Sequence, residues 1–249
     1  MENGVLLQGF HWYIKPEEKL WKQLQEKVKS YKEMGFSAIW LPPAYKGVGG
    51  INDNGYGVYD LYDLGEFNQK GSIETKYGTK EEYINAIKKL HENGIRVYAD
   101  IVLNHKIGAD ESEIVYASEE EQTNRNVDTS LPKKITAWTV YNFKGRNNKY
   151  SDFKWNYNHF NGTDWDESGR KNGVFRFSGK KWDQNVDAEN GNYDYLMGAD
   201  IDYNNPEVVE EIKKWGKWYV ETTNIDGLRL DAVKHIKSGF MAEFIHEMR

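Results

Sequence analysis

The chain has 249 residues, of which 39% are hydrophobic and 29% charged, with a net charge of -6 and no cysteine. That length can bury a sizeable core as one large domain or two smaller ones, and no stretch approaches the roughly 20 apolar residues of a membrane span. An acidic balance without a basic cluster argues against nucleic acid as a partner, and the lack of cysteine excludes disulfides while leaving the redox compartment open.

In chain order, Met1-Glu-Asn-Gly4 leads straight into an apolar run with no basic leader segment. The expectation is a cytoplasmic protein, or a secreted one whose mature sequence restarts with Met1. Residues 5–12 read as a strand. Leu20, Leu24, Val28 and Tyr31 recur at helical spacing over residues 20–34, and Gly35 marks the stop. Residues 37–41 form a short apolar strand ended by Pro42-Pro43, and a Gly-, Asn- and Tyr-rich loop covers 44–78. A helix follows over 80–92, with Tyr83, Ile84, Ile87 and Leu90 on its apolar side, and then a strand over 96–103. Strand, helix, strand, helix, strand is the rhythm of a parallel sheet with right-handed crossovers.

Residues 104–205 break that rhythm. They are rich in Asn, Asp, Gly, Trp and Tyr, with strand-like pieces at 137–141 and 174–177. The stretch is too long for an ordinary loop and reads as an inserted β-rich domain. Its aromatic segments, such as Trp155-Asn-Tyr-Asn-His-Phe160, suggest exposed ring platforms beside polar groups, which suit sugars. The β/α rhythm then resumes. Pro206 opens a helix through 221, a strand starts at Gly227, and a last helix begins near Ser238 and is expected to be still running at Arg249. The domain expectation is therefore a barrel over 1–103 and 206–249, interrupted by 104–205.

The densest chemistry lies in Gly227-Leu-Arg-Leu-Asp-Ala-Val-Lys-His235. Leu228 and Leu230 alternate with Arg229 and Asp231, so the apolar pair takes one strand face and the charged pair the other. A guanidinium two residues before a carboxylate keeps it ionised and fixes its rotamer, which suits a carboxylate nucleophile. By itself such a pair also fits a structural ion pair at a strand end.

Four segments resemble the signature regions of the α-amylase family of retaining glycoside hydrolases, and within it the bacterial liquefying type. They are Asp100-Ile-Val-Leu-Asn-His105, the nonapeptide ending at His235, Gly55-Tyr-Gly-Val-Tyr-Asp-Leu-Tyr-Asp-Leu-Gly-Glu-Phe67 with Lys76-Tyr-Gly-Thr79, and Gly191-Asn-Tyr-Asp-Tyr-Leu-Met-Gly-Ala-Asp-Ile-Asp202. The resemblance covers essentially the whole chain. It implies a (β/α)8 TIM barrel, here strands one to four, with a β-rich domain inserted after strand three at the catalytic face. It implies endo-hydrolysis of α-1,4-glucosidic bonds in starch, glycogen and maltooligosaccharides. In that reading Asp231 is the nucleophile, helped by Arg229. Tyr56 gives a stacking face, His105 a hydrogen bond to a sugar hydroxyl, Lys234 and His235 contacts on the leaving side, and Trp12 a further substrate contact. The partner is an α-glucan, with no nucleic acid or membrane, and the full-length form is expected to be a monomer.

The resemblance also implies calcium. Asn104, Asp194, Asp200 and the His235 carbonyl match its main ligands, and Asp183 and Asp202 match a second metal cluster of the liquefying type. The resemblance leads one to expect acids at 161 and 204, where this chain has Asn161 and Asn204. Zinc is not expected, since there is no Cys and no His pair at ligand spacing. The family's general acid is a Glu expected after residue 249. Glu243 and Glu247 are spaced like a solvated helix face. The chain by itself is therefore expected to be inactive. The competing readings are a maltooligosaccharide-forming relative and a truncated, non-catalytic glucan-binding protein. No dinucleotide, phosphate-loop or serine-elbow motif is present.

Overall fold

The computed structural model describes residues 4–249. Met1, Glu2 and Asn3, on which the leader expectation rests, lie outside the described residues. In chain order the strands are β1 (Leu6–Gln8), β2 (Ala38–Leu41), β3 (Lys46–Gly47), β4 (Val58–Asp60), β5 (Arg96–Ile101), β6 (His105–Lys106), β7 (Glu111–Glu121), β8 (Asn124–Asp128), β9 (Lys133–Val140), β10 (Phe160–Asp166), β11 (Lys171–Phe177), β12 (Ala199–Ile201) and β13 (Gly227–Leu230). The helices are α1 (Leu20–Glu33), α2 (Lys80–Glu92), α3 (Pro206–Thr223) and α4 (Ser238–Glu247). The chain packs as two units, one of residues 1–102, 144–150 and 218–231, the other of 103–143, 151–217 and 232–249.

The first unit is built on a parallel sheet in the order β1-β2-β5-β13, the successive strands of a β/α barrel, present here as an open arc. Helix α1 buries Leu20, Trp21, Leu24 and Val28, one stripe at helical spacing, and Gly35 at φ +87° ends the segment that follows it. Helix α2 starts in a capping box. Thr79 Oγ1 accepts from the Glu82 N–H at 3.2 Å, and Glu82 Oε2 accepts from the Thr79 N–H at 3.0 Å. It buries Tyr83, Ala86, Ile87 and Leu90. Gly227 pairs with Tyr98, and a Cβ at 227 would lie 2.6 Å from the Tyr98 ring. The Tyr98 ring lies over this glycine, and a side chain at 227 would have to displace it.

The long loop after β2 is held from inside. Lys46 on β3 is fully buried, and its Nζ donates to the carbonyls of Ser72 at 2.7 Å and Ile73 at 2.6 Å, with those of Phe67 and Glu74 at 3.3 Å. Asp63 Oδ2 lies 3.6 Å away. This ammonium satisfies carbonyls that no strand or helix covers.

The second unit is an antiparallel sheet in the order β6-β12-β10-β11-β7-β8, with β9 pairing on β7. Besides this sheet the unit takes in most of α3 and all of α4.

Three local expectations are corrected. The first strand stops at Gln8, not 12, because after the Gly9 N–H bonds to the Trp40 carbonyl the chain turns at residues 11–14. All four residues of β13 are half-buried, since it pairs on one side only, and Arg229 still reaches Asp231 two residues on along the same face. The last helix closes at Glu247, capped through the Met248 N–H, and does not run through Arg249. Within Trp155–Phe160, Trp155, His159 and Phe160 are core, and of the aromatic rings only Tyr157 is exposed. They pack on one another and on Phe153, with ring centroids 4.8–5.8 Å apart.

Candidate active site

Register does the first part of the work in the first unit. Arg229 on β13 is the direct cross-strand partner of Asp100 on β5, so their side chains leave the sheet together. Arg229 Nη1 donates to Asp100 Oδ1 at 3.1 Å and Oδ2 at 3.2 Å, and the same nitrogen donates to Asp231 Oδ1. The Asp231 N–H bonds to the Ile101 carbonyl at 2.8 Å, which extends the ladder and fixes the carboxylate at the strand's C-terminal end. The next residue, Ala232, turns the chain at φ +54°, a left-handed conformation uncommon for a residue with a Cβ.

Asp100 is fully buried and carries two further donors, Trp40 Nε1 at 3.0 Å and Tyr56 Oη at 2.8 Å. Burial pushes its carboxyl above the usual carboxylate range, against the pull of Tyr56 and Arg229. Burial works to lower Arg229, but the charges of Asp100 and Asp231 outweigh it and the guanidinium is raised. Tyr56 is raised by burial and by the Asp100 charge, so its hydroxyl stays a donor. The guanidinium also lies 5.0 Å from the Trp40 ring centroid.

Tyr56 is placed by a turn built on Asp53. Asp53 Oδ1 accepts from the N–H groups of Gly55 at 2.7 Å and Gly57 at 3.3 Å, and Oδ2 from that of Gly49 at 3.0 Å. Gly55 sits at φ +93°, where a Cβ would meet the Pro43 carbonyl at 2.7 Å. Trp12 is 58% exposed, its ring 5.6 Å from that of Tyr56 and tilted by 31°. The two rings form an open aromatic surface beside the Arg229–Asp231 pair.

The other predicted sugar contacts lie in the second unit. His105 is buried on β6 and pairs in register with Asp200 on β12. Lys234 extends to Glu189 at 2.8 Å, over the Tyr193 ring at 4.6 Å. His235 is buried, with Nδ1 2.6 Å from the Tyr193 carbonyl and its ring edge-on to Tyr193.

The predicted metal residues of this unit sit largely in one buried polar cluster. Asp183, Asp194, Asp200 and Asp202 are all buried. Asn161 Nδ2 reaches Asp194 Oδ2 at 3.2 Å and Asp200 Oδ2 at 3.4 Å, and the Asp183 N–H donates to Asp194 Oδ2 at 2.7 Å. Asn104 approaches His105 Nδ1 at 3.4 Å, while its carbonyl accepts the Ile201 N–H. Asp183 is pushed up to about 7 by burial and by Asp202, and Asp194 up to about 8 by burial and by Asp183. Asp200 is raised by burial and then by Asp194. Two buried oxygens, Asn161 Oδ1 and Asp183 Oδ2, have no hydrogen-bond partner. Orphaned oxygens among buried carboxylates are the chemistry of a hard cation, so this donor set fits one. Among the described residues, no three acidic or histidine side chains are already drawn into a metal cage.

The model of the family described as "Alpha amylase, catalytic domain" matches residues 20–247. The chain belongs to the α-amylase catalytic domain family. It is 53% identical to an α-amylase of Geobacillus stearothermophilus over 99% of this chain and 45% of that one. It is 51% identical to a glucan 1,4-α-maltohexaosidase of a Bacillus strain over 99% of this chain and 48% of that one. Its fold resembles the α-amylase of Geobacillus thermoleovorans solved with acarbose, at a TM-score of 0.53 and 22% identity over 92% of this chain and 37% of that one. The chain spans about half the length of the relatives it matches.

Of the residues read from the α-amylase resemblance, Arg229, Asp231, Tyr56 and Trp12 come together in the first unit. Glu243 and Glu247 are solvated, as expected, and pair with Lys213 at 3.0 Å and Lys217 at 2.7 Å. Sequence reasoning gave no role to Asp100 or Trp40. The signal was available for Asp100, the one charged residue in the run Val97–Leu103. For Trp40 there was none, because an indole in an apolar run reads as core.

Proposed function

We propose that this chain carries the nucleophile-bearing part of a retaining hydrolase acting on α-1,4-glucans such as starch, glycogen and maltooligosaccharides. The observation that supports it most is the single nitrogen of Arg229 shared between Asp231 and the buried Asp100. Arg229 holds Asp231 Oδ1, which leaves Oδ2 to attack the anomeric carbon. A C–O bond forms to Asp231 as the glycosidic C–O bond breaks. The departing sugar oxygen takes a proton from a carboxylic acid about 5–5.5 Å from the nucleophile, and water later reverses the step with retention. Asp100 does not fit that acid, being buried beneath three donors. The acid is a residue outside the set assembled around Asp231. Tyr56 and Trp12 offer their rings to a pyranose face.

Calcium fits the cluster of the second unit, held by Asn104, Asp194, Asp200 and the His235 carbonyl, with Asp183 and Asp202 alongside. When bound it supplies positive charge to buried carboxylates. The likeness to a maltohexaosidase keeps open a fixed-length maltooligosaccharide product. The test uses an α-maltosyl fluoride, whose fluoride departs without an acid's help. Turnover by the protein that disappears in Asp231→Asn supports catalysis. Equal turnover by both rules out Asp231, and glucan binding without turnover leaves a binding protein.

A further inference from the structure

The buried cluster of the second unit is not a cluster of acids alone. Two carboxamides and two lysines are built into it. Lys180 Nζ lies 2.6 Å from Asp202 Oδ2 and 2.6 Å from the Asn158 carbonyl. Asn204 donates from Nδ2 to Asp183 Oδ1, and its own Oδ1 accepts from Lys237 Nζ at 2.9 Å. At this end, cationic side chains already stand against the carboxylates, directly or through an amide. The other end is different. Asp194 and Asp200 are bridged by the Asn161 amide, a neutral donor, and Asp194 accepts one backbone N–H besides. Neutral donors orient buried carboxylates but do not cancel their charge. The two orphaned buried oxygens, Asn161 Oδ1 and Asp183 Oδ2, border the same cluster.

Taking calcium as its ligand, as proposed above, we infer that this cluster holds a single divalent cation at the Asp194–Asp200 end. Asn161, Asn204, Lys180 and Lys237 fill the places where further ions would be needed. The carboxamide at 161 decides the count. An aspartate there could not donate to Asp194 or Asp200 and would face both as another negative charge. It would create a demand for a second cation that the present chain does not have.

The experiment is calcium titration by calorimetry of the purified protein after chelation, with thermal melts in chelator and in calcium. The expected result is one calcium per chain. Asn161→Asp should melt lower than wild type in chelator, bind at least one further cation, and gain more than wild type when calcium is added. Folding of this variant only in the presence of calcium also supports the inference. Asn161→Leu removes the bridge without adding charge and should melt lower while still binding one calcium. Asn204→Asp provides a second charge-adding variant should Asn161→Asp fail to fold under any condition, and it too should raise the count. Two or more tight calcium ions in wild type overturn the inference and leave the calcium reading intact, as does a count of one in both aspartate variants. No binding at millimolar calcium in wild type overturns the calcium reading itself and this inference with it.

Discussion

Asp100 and Asp231 are joined by one nitrogen, Nη1 of Arg229, and the two carboxylates are treated very differently. Asp100 is fully buried with three donors, while the Asp231 side chain is 24% exposed at the strand end. The buried carboxylate anchors the guanidinium, and the guanidinium aims the exposed carboxylate. Tyr56→Phe removes one donor to Asp100 and should cost about 1.5–3 kcal/mol, the range for hydrogen bonds to charged groups. Urea denaturation reads the loss, and a variant as stable as wild type would contradict the anchoring role.

The same anchor gives a pH dependence. Burial raises the Asp100 carboxyl in the folded state. A raised carboxyl holds its proton more tightly folded than unfolded. Its contribution to stability is therefore full below the unfolded value near 3.9 and is lost as pH rises through the folded value. Asp100→Asn cannot ionise and lacks this loss. The stability of wild type relative to the variant should therefore shrink from pH 4 towards pH 7, read by denaturation at each pH. A gap that widens with rising pH would have the wrong sign.

Lys46 offers a test of the loop that carries Tyr56. Lys46→Met would leave Asp63 and four carbonyls without their buried cation. A loss of about 3–5 kcal/mol is expected from breaking a buried charge set on one side. An unchanged melting temperature would show that the loop holds its shape without the ammonium.

Trp12→Ala should act on binding and leave the fold alone, because the ring is open to solvent and its partner ring is Tyr56. An aromatic contact contributes about 0.5–1.5 kcal/mol, up to roughly tenfold in affinity for a maltooligosaccharide. Calorimetry with maltohexaose checks the affinity and a thermal melt checks the fold. A drop in melting temperature with affinity unchanged would make Trp12 a packing residue.

The β/α rhythm was legible because Leu20, Leu24 and Val28, and Tyr83, Ile87 and Leu90, repeat at helical spacing, and these residues are the buried faces of α1 and α2. The Arg229–Asp231 pair was legible because residues two apart on a strand share a face. The role of Asp100 was not, since a cross-strand partner 129 residues away leaves no local pattern. The Trp155–Phe160 segment misled because Asn and aromatic residues in sequence look like a wet loop. The Trp155 and His159 rings instead pack on Phe153. Nor does local sequence reveal that Asn161 bridges two aspartates more than 30 residues ahead.

The central claim is that Asp231 is the residue glycosylated during catalysis. The most direct measurement is trapping with a fluorinated glycosyl fluoride, followed by intact-protein and peptide mass spectrometry. The account predicts a mass increase of one glycosyl unit, located on Asp231, and no increase in Asp231→Asn. Label on any other carboxylate, or none at saturating reagent, would contradict it.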